Sequence, residues 1–164
     1  MAVELNFCSR CGSPLSRRVP AGDNRPRAVC DTCGAIHYQN PRVVAGCVVS
    51  WEQRVLLCRR AIEPRTGFWT LPAGYMELGE TVAEAAMREA AEEANARIAI
   101  DALFTCLNVT RISQLHMMFR GQLLDPAVSA GEESLEVGLF GEAEVPWAEI
   151  AFPTVRSSVE LFLV

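Results

Sequence analysis

Residues 74–96, GYMELGETVAEAAMREAAEEANA, determine the fold prediction for this chain. Thr81 followed three residues later by Glu84 is a capping box, in which two side chains satisfy free backbone N–H groups at a helix start. The residues that follow are mostly alanine, glutamate, methionine and arginine, which are all good helix formers. The sequence therefore predicts a helix that begins at the threonine and ends near Ala94.

An apolar stripe and an acidic stripe separate when this helix is drawn in projection. Glu89, Glu92 and Glu93 are spaced i, i+3 and i+4 and are expected to lie together, opposite the apolar residues. Like charges so placed repel by roughly 0.2–0.5 kcal/mol per pair, and Arg88 alone cannot neutralise three of them. Either they are simply solvated, or they hold a divalent cation such as Mg²⁺ or Mn²⁺. The apolar stripe is expected to comprise Ala83, Met87, Ala90, Ala91 and Ala94.

The residues around these acids resemble the Nudix box, G-x5-E-x7-R-E-U-x-E-E-x-G-U, where U is a bulky apolar residue. Every charged position of that pattern is matched in this chain. Asn95 replaces the glycine of the pattern, and asparagine is the usual second choice for a left-handed conformation at a helix end. Ala90 and Ala96 occupy the bulky positions, which we expect to loosen packing but to leave the carboxylates intact.

This resemblance implies a hydrolase that cleaves a nucleoside diphosphate linked to another group and that uses Mg²⁺ or Mn²⁺. Such ions draw charge off the diphosphate and lower the pKa of a bound water. The metal ligands implied by the box are Glu89, Glu92, Glu93 and the backbone carbonyl of Gly74.

Other positions of the box have supporting roles. Arg88 matches the arginine that orients a neighbouring glutamate, and Glu80 and Asn95 match structural positions. In this family the general base lies in the box or on a later loop. Glu89 is the candidate within the box, and Glu132, Glu133 and Glu136 are the candidates beyond it. The expected catalytic set is Glu89, Arg88, Glu93 and Glu133.

Four of the seven cysteines form two Cys-x-x-Cys pairs. Eighteen residues separate Cys8 and Cys11 from Cys30 and Cys33, and this spacing is a strong zinc-ribbon signal. Four thiolates fill a tetrahedral Zn²⁺ site and leave no open position, so the zinc is expected to be structural. Two disulfides are the alternative, although disulfides are rare where no secretory signal is visible.

Charge divides the chain into a basic first part and an acidic remainder. Residues 1–42 carry six arginines against three acids, net +3, whereas the remainder carries nine arginines against seventeen acids, net −8. The acidic part argues against nucleic-acid binding, and no aromatic residues interleave with the ribbon arginines to stack bases. The longest apolar run is too short for a bilayer and no signal peptide is visible, so a soluble cytoplasmic protein is expected.

Two domains are predicted, a zinc ribbon over residues 1–40 and a Nudix hydrolase domain over residues 41–164. Strands around one or two helices indicate an α/β layered domain, and the resemblance implies an α/β/α sandwich with a mixed sheet. Residues 74–79 are expected to form a loop. Cys47, Cys58 and Cys106 are expected in the core, and His116 is expected to be structural. Strands are predicted at 42–50, 54–59, 68–71, 97–100, 102–110, 114–124 and 135–140, with a helix at 154–164.

Sequence features outside the box narrow the range of candidate substrates. The ribbon, the segment GFWTLPAGYME at 67–77 and a late AFPT at 151–154 resemble the zinc-ribbon Nudix proteins related to plant FAD and ADP-ribose pyrophosphatases. The segment SQPWPFP of zinc-ribbon NADH pyrophosphatases does not occur here, so FAD, split to FMN and AMP, is favoured. ADP-ribose, split to AMP and ribose 5-phosphate, comes next. The candidate substrate contacts are Phe68, Trp69 and Tyr75 for stacking and Arg59, Arg60 and Arg65 for phosphate. Core packing is the alternative for Phe68 and Trp69, and simple solvent exposure is the alternative for each arginine.

Two other functions are kept as alternatives. A housecleaning pyrophosphatase would share the box but act on nucleoside triphosphates. A non-catalytic Nudix ligand sensor would typically have lost the box carboxylates, which this chain retains. A homodimer is also left open, because twofold dimers are the commonest oligomers.

Overall fold

The computed structural model describes residues 4–164. These residues form two compact units, one made of residues up to 41 with 111–113, the other of 42–110 with 114–164. The first unit contains a three-stranded antiparallel sheet and carries both Cys-x-x-Cys pairs. Its strands are β1 (Leu15–Arg18), β2 (Arg27–Cys30) and β3 (Ile36–His37), in that order across the sheet.

The second unit contains a mixed sheet and two α-helices. Its strands are β4 (Arg42–Trp51), β5 (Arg54–Arg60), β6 (Trp69–Thr70), β7 (Ala73–Tyr75), β8 (Ile98–Val109), β9 (Gln114–Leu123) and β10 (Ser134–Phe140). Its helices are α1 (Val82–Ala94) and α2 (Pro153–Leu163). The strand order is β10-β5-β4-β9-β8, with β6 beside β5 and β7 beside β4. The β4–β9 pair is parallel and the other pairs are antiparallel. Short 3₁₀ helices lie at Thr110–Ile112, Glu142–Glu144 and Trp147–Glu149.

The two helices cover opposite faces of this sheet. Neighbouring side chains of β4 point to opposite faces, as the period of two in a strand requires. Cys47 therefore packs with Ala90 of α1, whereas Val48 packs with Val155 of α2. The predicted α/β/α sandwich with a mixed sheet is confirmed.

Helix α1 begins and ends where the sequence predicts. The backbone N–H of Glu84 donates to Thr81 Oγ1 at 3.2 Å, and the N–H of Thr81 donates to Glu84 Oε2 at 2.7 Å. Asn95 follows the last turn in a left-handed conformation, with φ 49° and ψ 30°. Asparagine therefore adopts here the conformation for which the Nudix pattern uses glycine.

Three local predictions were wrong. Residues 73–75, of which the last two were expected to start a loop, form β7 and pair with β4, so Gly74 lies opposite Ala45. The two segments predicted at 97–100 and 102–110 form the single strand β8, whose register shifts between Ile100 and Ala102 explain the apparent break. Cys106 is exposed rather than in the core, since this strand lies at the edge of the sheet.

None of the helices in the described chain has the length and apolar character needed to span a bilayer.

Candidate active site

The buried face of α1 differs from the predicted one. Glu89 and Glu93 are only 8% and 6% exposed, and they share the buried side of the helix with Ala90. Met87 and Ala91, which were predicted in the apolar stripe, are exposed. Positions 86, 89, 90, 93 and 94 follow the i, i+3, i+4, i+7, i+8 rule for a core-facing stripe. The prediction failed because two members of that stripe are glutamates, which a hydrophobic pattern excludes.

Strand β7 lies directly against these two carboxylates. A side chain on Gly74 would collide with the carboxylate of Glu89, so only glycine leaves that group its place. The carboxylate of Glu93 accepts a hydrogen bond from the backbone N–H of Ala73. The backbone of β7 and the two carboxylates on the buried face of α1 therefore lie side by side.

Arg88 links the remaining groups of the cluster. Its Nη1 donates to Glu89 Oε1 at 2.6 Å and to Glu92 Oε2 at 2.9 Å. Its Nη2 and Nε donate to the two oxygens of Glu80 at 2.8 and 3.1 Å, and Nη2 also donates to the carbonyl oxygen of Tyr75 at 3.0 Å. The guanidinium thus holds three carboxylates and one end of β7 in a fixed arrangement.

The positive charges near Glu89 and Glu93 do not fully compensate the burial of these two carboxylates. Burial, together with the charges of Glu89 and Glu133, raises the pKa of Glu93 to about 8, although the charge of Arg60 opposes the change. Burial also raises the pKa of Glu89, although its hydrogen bond with Arg88 opposes the change. Hard carboxylate oxygens beside a glycine backbone fit Mg²⁺ or Mn²⁺, whose charge would compensate the buried acids.

The carboxylates are less closely gathered than the cysteines. Within residues 4–164, the four cysteines are the one group of three or more Cys, His, Asp and Glu residues whose ligand atoms all lie within 4.8 Å of one another. The Glu92 side chain is 58% exposed and is turned toward Arg88. The structure therefore brings Glu89 and Glu93 to the sheet and leaves Glu92 at the solvent side.

The three candidate bases beyond the box differ in their surroundings. The charge of Glu133 raises the pKa of both Glu89 and Glu93, so its carboxylate lies within electrostatic reach of the buried pair. Glu136 instead pairs with Arg59 at 3.5 Å. Glu132 is exposed. Glu133 is therefore the loop acid that interacts with the cluster.

Tyr75 is a predicted stacking residue whose ring is exposed to solvent. It is 43% exposed, and the guanidinium carbon of Arg42 lies 4.6 Å from its ring centroid. Its hydroxyl accepts a hydrogen bond from Gln114 Nε2 at 2.8 Å. Trp69, by contrast, is only 6% exposed and packs edge-to-face against Phe140 at 4.9 Å, so it belongs to the core on the α2 side.

The three candidate phosphate-binding arginines have different surroundings, and Arg59 and Arg60 point to opposite faces of β5. Arg59 donates from Nε to the carbonyl oxygen of Gly67 at 2.9 Å, and Arg65 lies over the Phe68 ring at 5.0 Å. Arg60 interacts electrostatically with Glu93. Side chains two residues apart in a strand point to the same face, and Cys58 packs on α1. Because Arg60 lies two residues beyond Cys58, the alternation of β5 predicts that Arg60, and not Arg59, is on the α1 face.

His116 has partners on both ring nitrogens, as expected of a structural histidine. Nε2 lies 2.9 Å from Gln114 Oε1, and Nδ1 lies 3.2 Å from Thr154 Oγ1. Burial lowers the pKa of His116. The connection of His116 to Tyr75 through Gln114 is not visible in the sequence, because it depends on the alignment of β7, β4 and β9.

The first unit contains the cysteine cluster. Cys8 Sγ lies 3.7 Å from Cys33 Sγ, and Cys11 Sγ lies 3.5 Å from Cys30 Sγ. Tetrahedral zinc with bonds of ~2.3 Å places its sulfurs ~3.8 Å apart, so this geometry fits Zn²⁺, and all four cysteines are free rather than disulfide-bonded. His37 Nε2 lies 3.3 Å from Cys8 Sγ, beside the cluster. Hydrogen bonds with Ser13, Cys30 and Cys33 lower the pKa of Cys11 to about 6.

Comparisons with known proteins agree with both parts of the chain. A family model described as Nudix N-terminal, a zinc ribbon, matches residues 6–39, and the NUDIX domain model matches residues 40–153. The crystal structure of a NUDIX hydrolase from Nitrosomonas europaea is 50% identical, with a TM-score of 0.94 over 97% of this chain and 90% of that one.

Two curated relatives match shorter segments. A protein named mitochondrial NAD(P)H pyrophosphatase from Homo sapiens is 40% identical over 87 residues, covering 53% of this chain and 23% of its own length. A protein named ADP-ribose pyrophosphatase from Methanocaldococcus jannaschii is 39% identical over 56 residues, covering 34% of this chain and 33% of its own length. The chain thus spans a third or less of these relatives. With a matched NUDIX domain over most of its residues, this chain belongs to the Nudix family and carries that family's N-terminal zinc ribbon.

Proposed function

We propose that this protein hydrolyses the pyrophosphate bond of a nucleoside diphosphate derivative and releases AMP, with Mg²⁺ or Mn²⁺ as the catalytic ion. The observation that carries the proposal is the burial of Glu89 and Glu93 beside Gly74. Two acids on the core side of a helix cost free energy unless a cation compensates them, and membership of the Nudix family favours that explanation.

The proposed ligands are the carboxylates of Glu89, Glu92 and Glu93 and the backbone carbonyl of Gly74. A divalent cation held there would draw negative charge off the diphosphate and lower the pKa of a bound water. Arg88 fixes Glu89 and Glu92 through its Nη1 contacts of 2.6 and 2.9 Å. That arrangement limits the reorganisation needed when substrate arrives.

Glu133 is the proposed general base. Its carboxylate interacts with Glu89 and Glu93 and takes the proton from the attacking water. Glu89, the alternative within the box, is occupied by its hydrogen bond with Arg88. Replacement Glu133→Gln is therefore expected to lower kcat by at least about a hundredfold, the low end of the usual range for general base catalysis. An unchanged kcat in that variant would assign the base elsewhere.

Tyr75 and Arg42 are the proposed contacts for the nucleoside or flavin ring. The Tyr75 ring is exposed and lies against a guanidinium at 4.6 Å, a pair that offers an aromatic face and a positive charge together. Arg60 is the proposed phosphate contact, since it is the β5 arginine whose charge acts on the Glu93 carboxylate.

FAD remains the proposed preferred substrate, followed by ADP-ribose. The name of the Methanocaldococcus jannaschii relative supports ADP-ribose. A second candidate is NAD(P)H, which the name of the human relative favours although the chain lacks the NADH-type segment. The four cysteines are proposed to hold one structural Zn²⁺, in a ribbon that is the site of no chemistry.

The test is a substrate panel in Mg²⁺ buffer, with products separated by chromatography. FAD, ADP-ribose, NADH and a set of deoxynucleoside triphosphates are incubated separately with the full chain. Release of FMN and AMP from FAD would support the preferred substrate, and AMP from ADP-ribose or NADH would support the next ones. Turnover of triphosphates alone would indicate housecleaning, and ligand binding without turnover would indicate a sensor. Either of the last two results would overturn the proposal.

A further inference from the structure

The loop that leads to Glu133 is attached to the C-terminal end of α1. The backbone N–H of Ser129 donates to the carbonyl oxygen of Ala94, and the N–H of Gly131 donates to that of Glu93, each at 3.0 Å. A side chain on Gly131 would collide with the carbonyl oxygen of Glu92. The loop backbone therefore lies against the same helical turn that carries two of the box glutamates.

The side chain of Asn95 adds a second attachment. Its Nδ2 donates to the carbonyl oxygen of Ser129 and to Ser129 Oγ, both at 3.1 Å, and lies 3.4 Å from the carbonyl oxygen of Ala130. A glycine, which the Nudix pattern has at this position, adopts the left-handed conformation but has no donor to offer. Asn95 therefore attaches the loop to the helix through side-chain hydrogen bonds that a glycine cannot form.

The attached segment continues directly to the proposed base. The N–H of Ser134 donates to the carbonyl oxygen of Gly131 at 3.1 Å, which closes a tight turn around Glu133. The carbonyl oxygen of Glu133 accepts from the N–H of Ala61 at 2.8 Å. The backbone of Glu133 is thus held between the loop attached to Asn95 and the end of β5.

We propose that Asn95 is a positioning residue that acts through Glu133. By holding residues 129–130 on the end of α1, its amide sets where the Glu133 carboxylate stands relative to Glu89 and Glu93. This inference rests on the proposed function, because it assigns Asn95 a part in the same hydrolysis. A helix cap of the ordinary kind would need only the left-handed backbone conformation.

Two substitutions separate positioning from capping. Asn95→Gly keeps the left-handed conformation and removes the donors, and Asn95→Asp keeps the size and shape and also removes the donors. In the full chain with Mg²⁺ and its best substrate, both variants are expected to lower kcat about threefold to tenfold, the loss typical of one hydrogen bond, with KM unchanged. The melting temperature of Asn95→Gly is expected to equal or exceed that of the wild type.

The matched control is Gln53→Gly. Gln53 also has a left-handed backbone, with φ 65°, but it lies in the turn between β4 and β5. Its kcat is expected to equal that of the wild type. If Asn95 acts through Glu133, then Asn95→Gly has no further effect on kcat in a Glu133→Gln background.

Three results are decisive. Wild-type kcat in Asn95→Gly would overturn the inference while leaving the proposed function intact. Full additivity of Asn95→Gly and Glu133→Gln would also overturn it, because the two residues would then act independently. Absence of turnover in the wild type with every substrate would instead overturn the proposed function, and the inference with it.

Discussion

The cysteine cluster and the carboxylate cluster are both candidate metal sites, but they are built in opposite ways. The cysteine sulfurs converge within 4.8 Å of one another, and each Cys-x-x-Cys pair contributes two of them. The carboxylates converge less closely, and they come from a helix whose buried face also packs on the sheet. The first cluster is closed by its own ligands, whereas the second depends on neighbouring β7, Arg88 and the loop of Glu133.

The difference shows what each cluster is suited to do. Four thiolates would complete the shell of Zn²⁺ and leave no position for substrate, so the proposed zinc would stabilise a unit too small for a substantial core. Two buried acids and one exposed acid would form an incomplete shell around the proposed hard cation, with room for water and phosphate oxygens. Removing a ligand is therefore expected to affect folding in the first unit and activity in the second.

The largest effect is expected for Cys30→Ser. Cys30 is fully buried in the ribbon, and loss of one thiolate removes much of the zinc-binding free energy, which is about 10–16 kcal/mol in zinc-finger peptides. Zinc content is expected to fall well below one ion per chain, and amides of β1–β3 are expected to lose protection in hydrogen exchange. Cys106→Ser, at an exposed cysteine outside the cluster, is the control and should change neither. Retained zinc and protection in Cys30→Ser would contradict the proposed zinc ligands.

Glu93→Gln comes next. The amide keeps the shape of the side chain but cannot offer a charged oxygen, so kcat is expected to fall by at least about a hundredfold, as several kcal/mol of metal-dependent stabilisation requires. Because burial raises the pKa of Glu93 to about 8, the acid is largely uncharged at pH 7 without metal, and the melting temperature is expected to change little. The exposed Glu142→Gln is the control for both measurements. A Glu93→Gln enzyme with wild-type kcat would remove the basis of the proposed site.

Gly74→Ala tests the glycine backbone beside the cluster. The added methyl group would collide with the Glu89 carboxylate and displace it, so the Mg²⁺ concentration for half-maximal rate is expected to rise about tenfold to a hundredfold. Titration of the rate with Mg²⁺ measures this change. Gly141→Ala is the control, because the nearest atom to its added methyl group is the end of the Glu144 side chain at 3.3 Å. An unchanged Mg²⁺ requirement in Gly74→Ala would separate Gly74 from the metal site.

Arg88→Lys is expected to have the smallest effect, on stability. Lysine keeps the charge but loses the planar fork that contacts Glu80, Glu89 and Glu92 together, so the free energy of unfolding is expected to fall by about 1 kcal/mol. Arg18→Lys in the ribbon changes one exposed pair with Asp31, and because such pairs are worth only about 0.2–1 kcal/mol and lysine keeps the charge, it should cost less than Arg88→Lys. Urea denaturation measures both variants. Equal losses would mean that Arg88 behaves as an ordinary surface arginine.

Short-range features of this molecule were predictable from the order of its residues. The capping box at Thr81 and Glu84, the helix end at Asn95 and the strands β4, β5 and β9 lie within a few residues of their predicted bounds. The proximity of the two cysteines within each Cys-x-x-Cys pair is also local, whereas the two pairs meet across 19 and 25 positions and were predicted to meet from the zinc-ribbon spacing. Backbone hydrogen bonds and chain connectivity act over a few residues, so the local sequence carries this information.

The tertiary structure decided which side chains are buried and which ones meet. Glu89 and Glu93 face the sheet although they are acidic residues, and Trp69, one of the candidate substrate contacts, joins the core. Arg60 rather than Arg59 interacts electrostatically with Glu93. The attachment of Asn95 to residues 129–130 joins positions more than thirty residues apart. Such contacts depend on the balance of packing and charge over the whole domain, because a buried acid is tolerated only where neighbours from other elements compensate it.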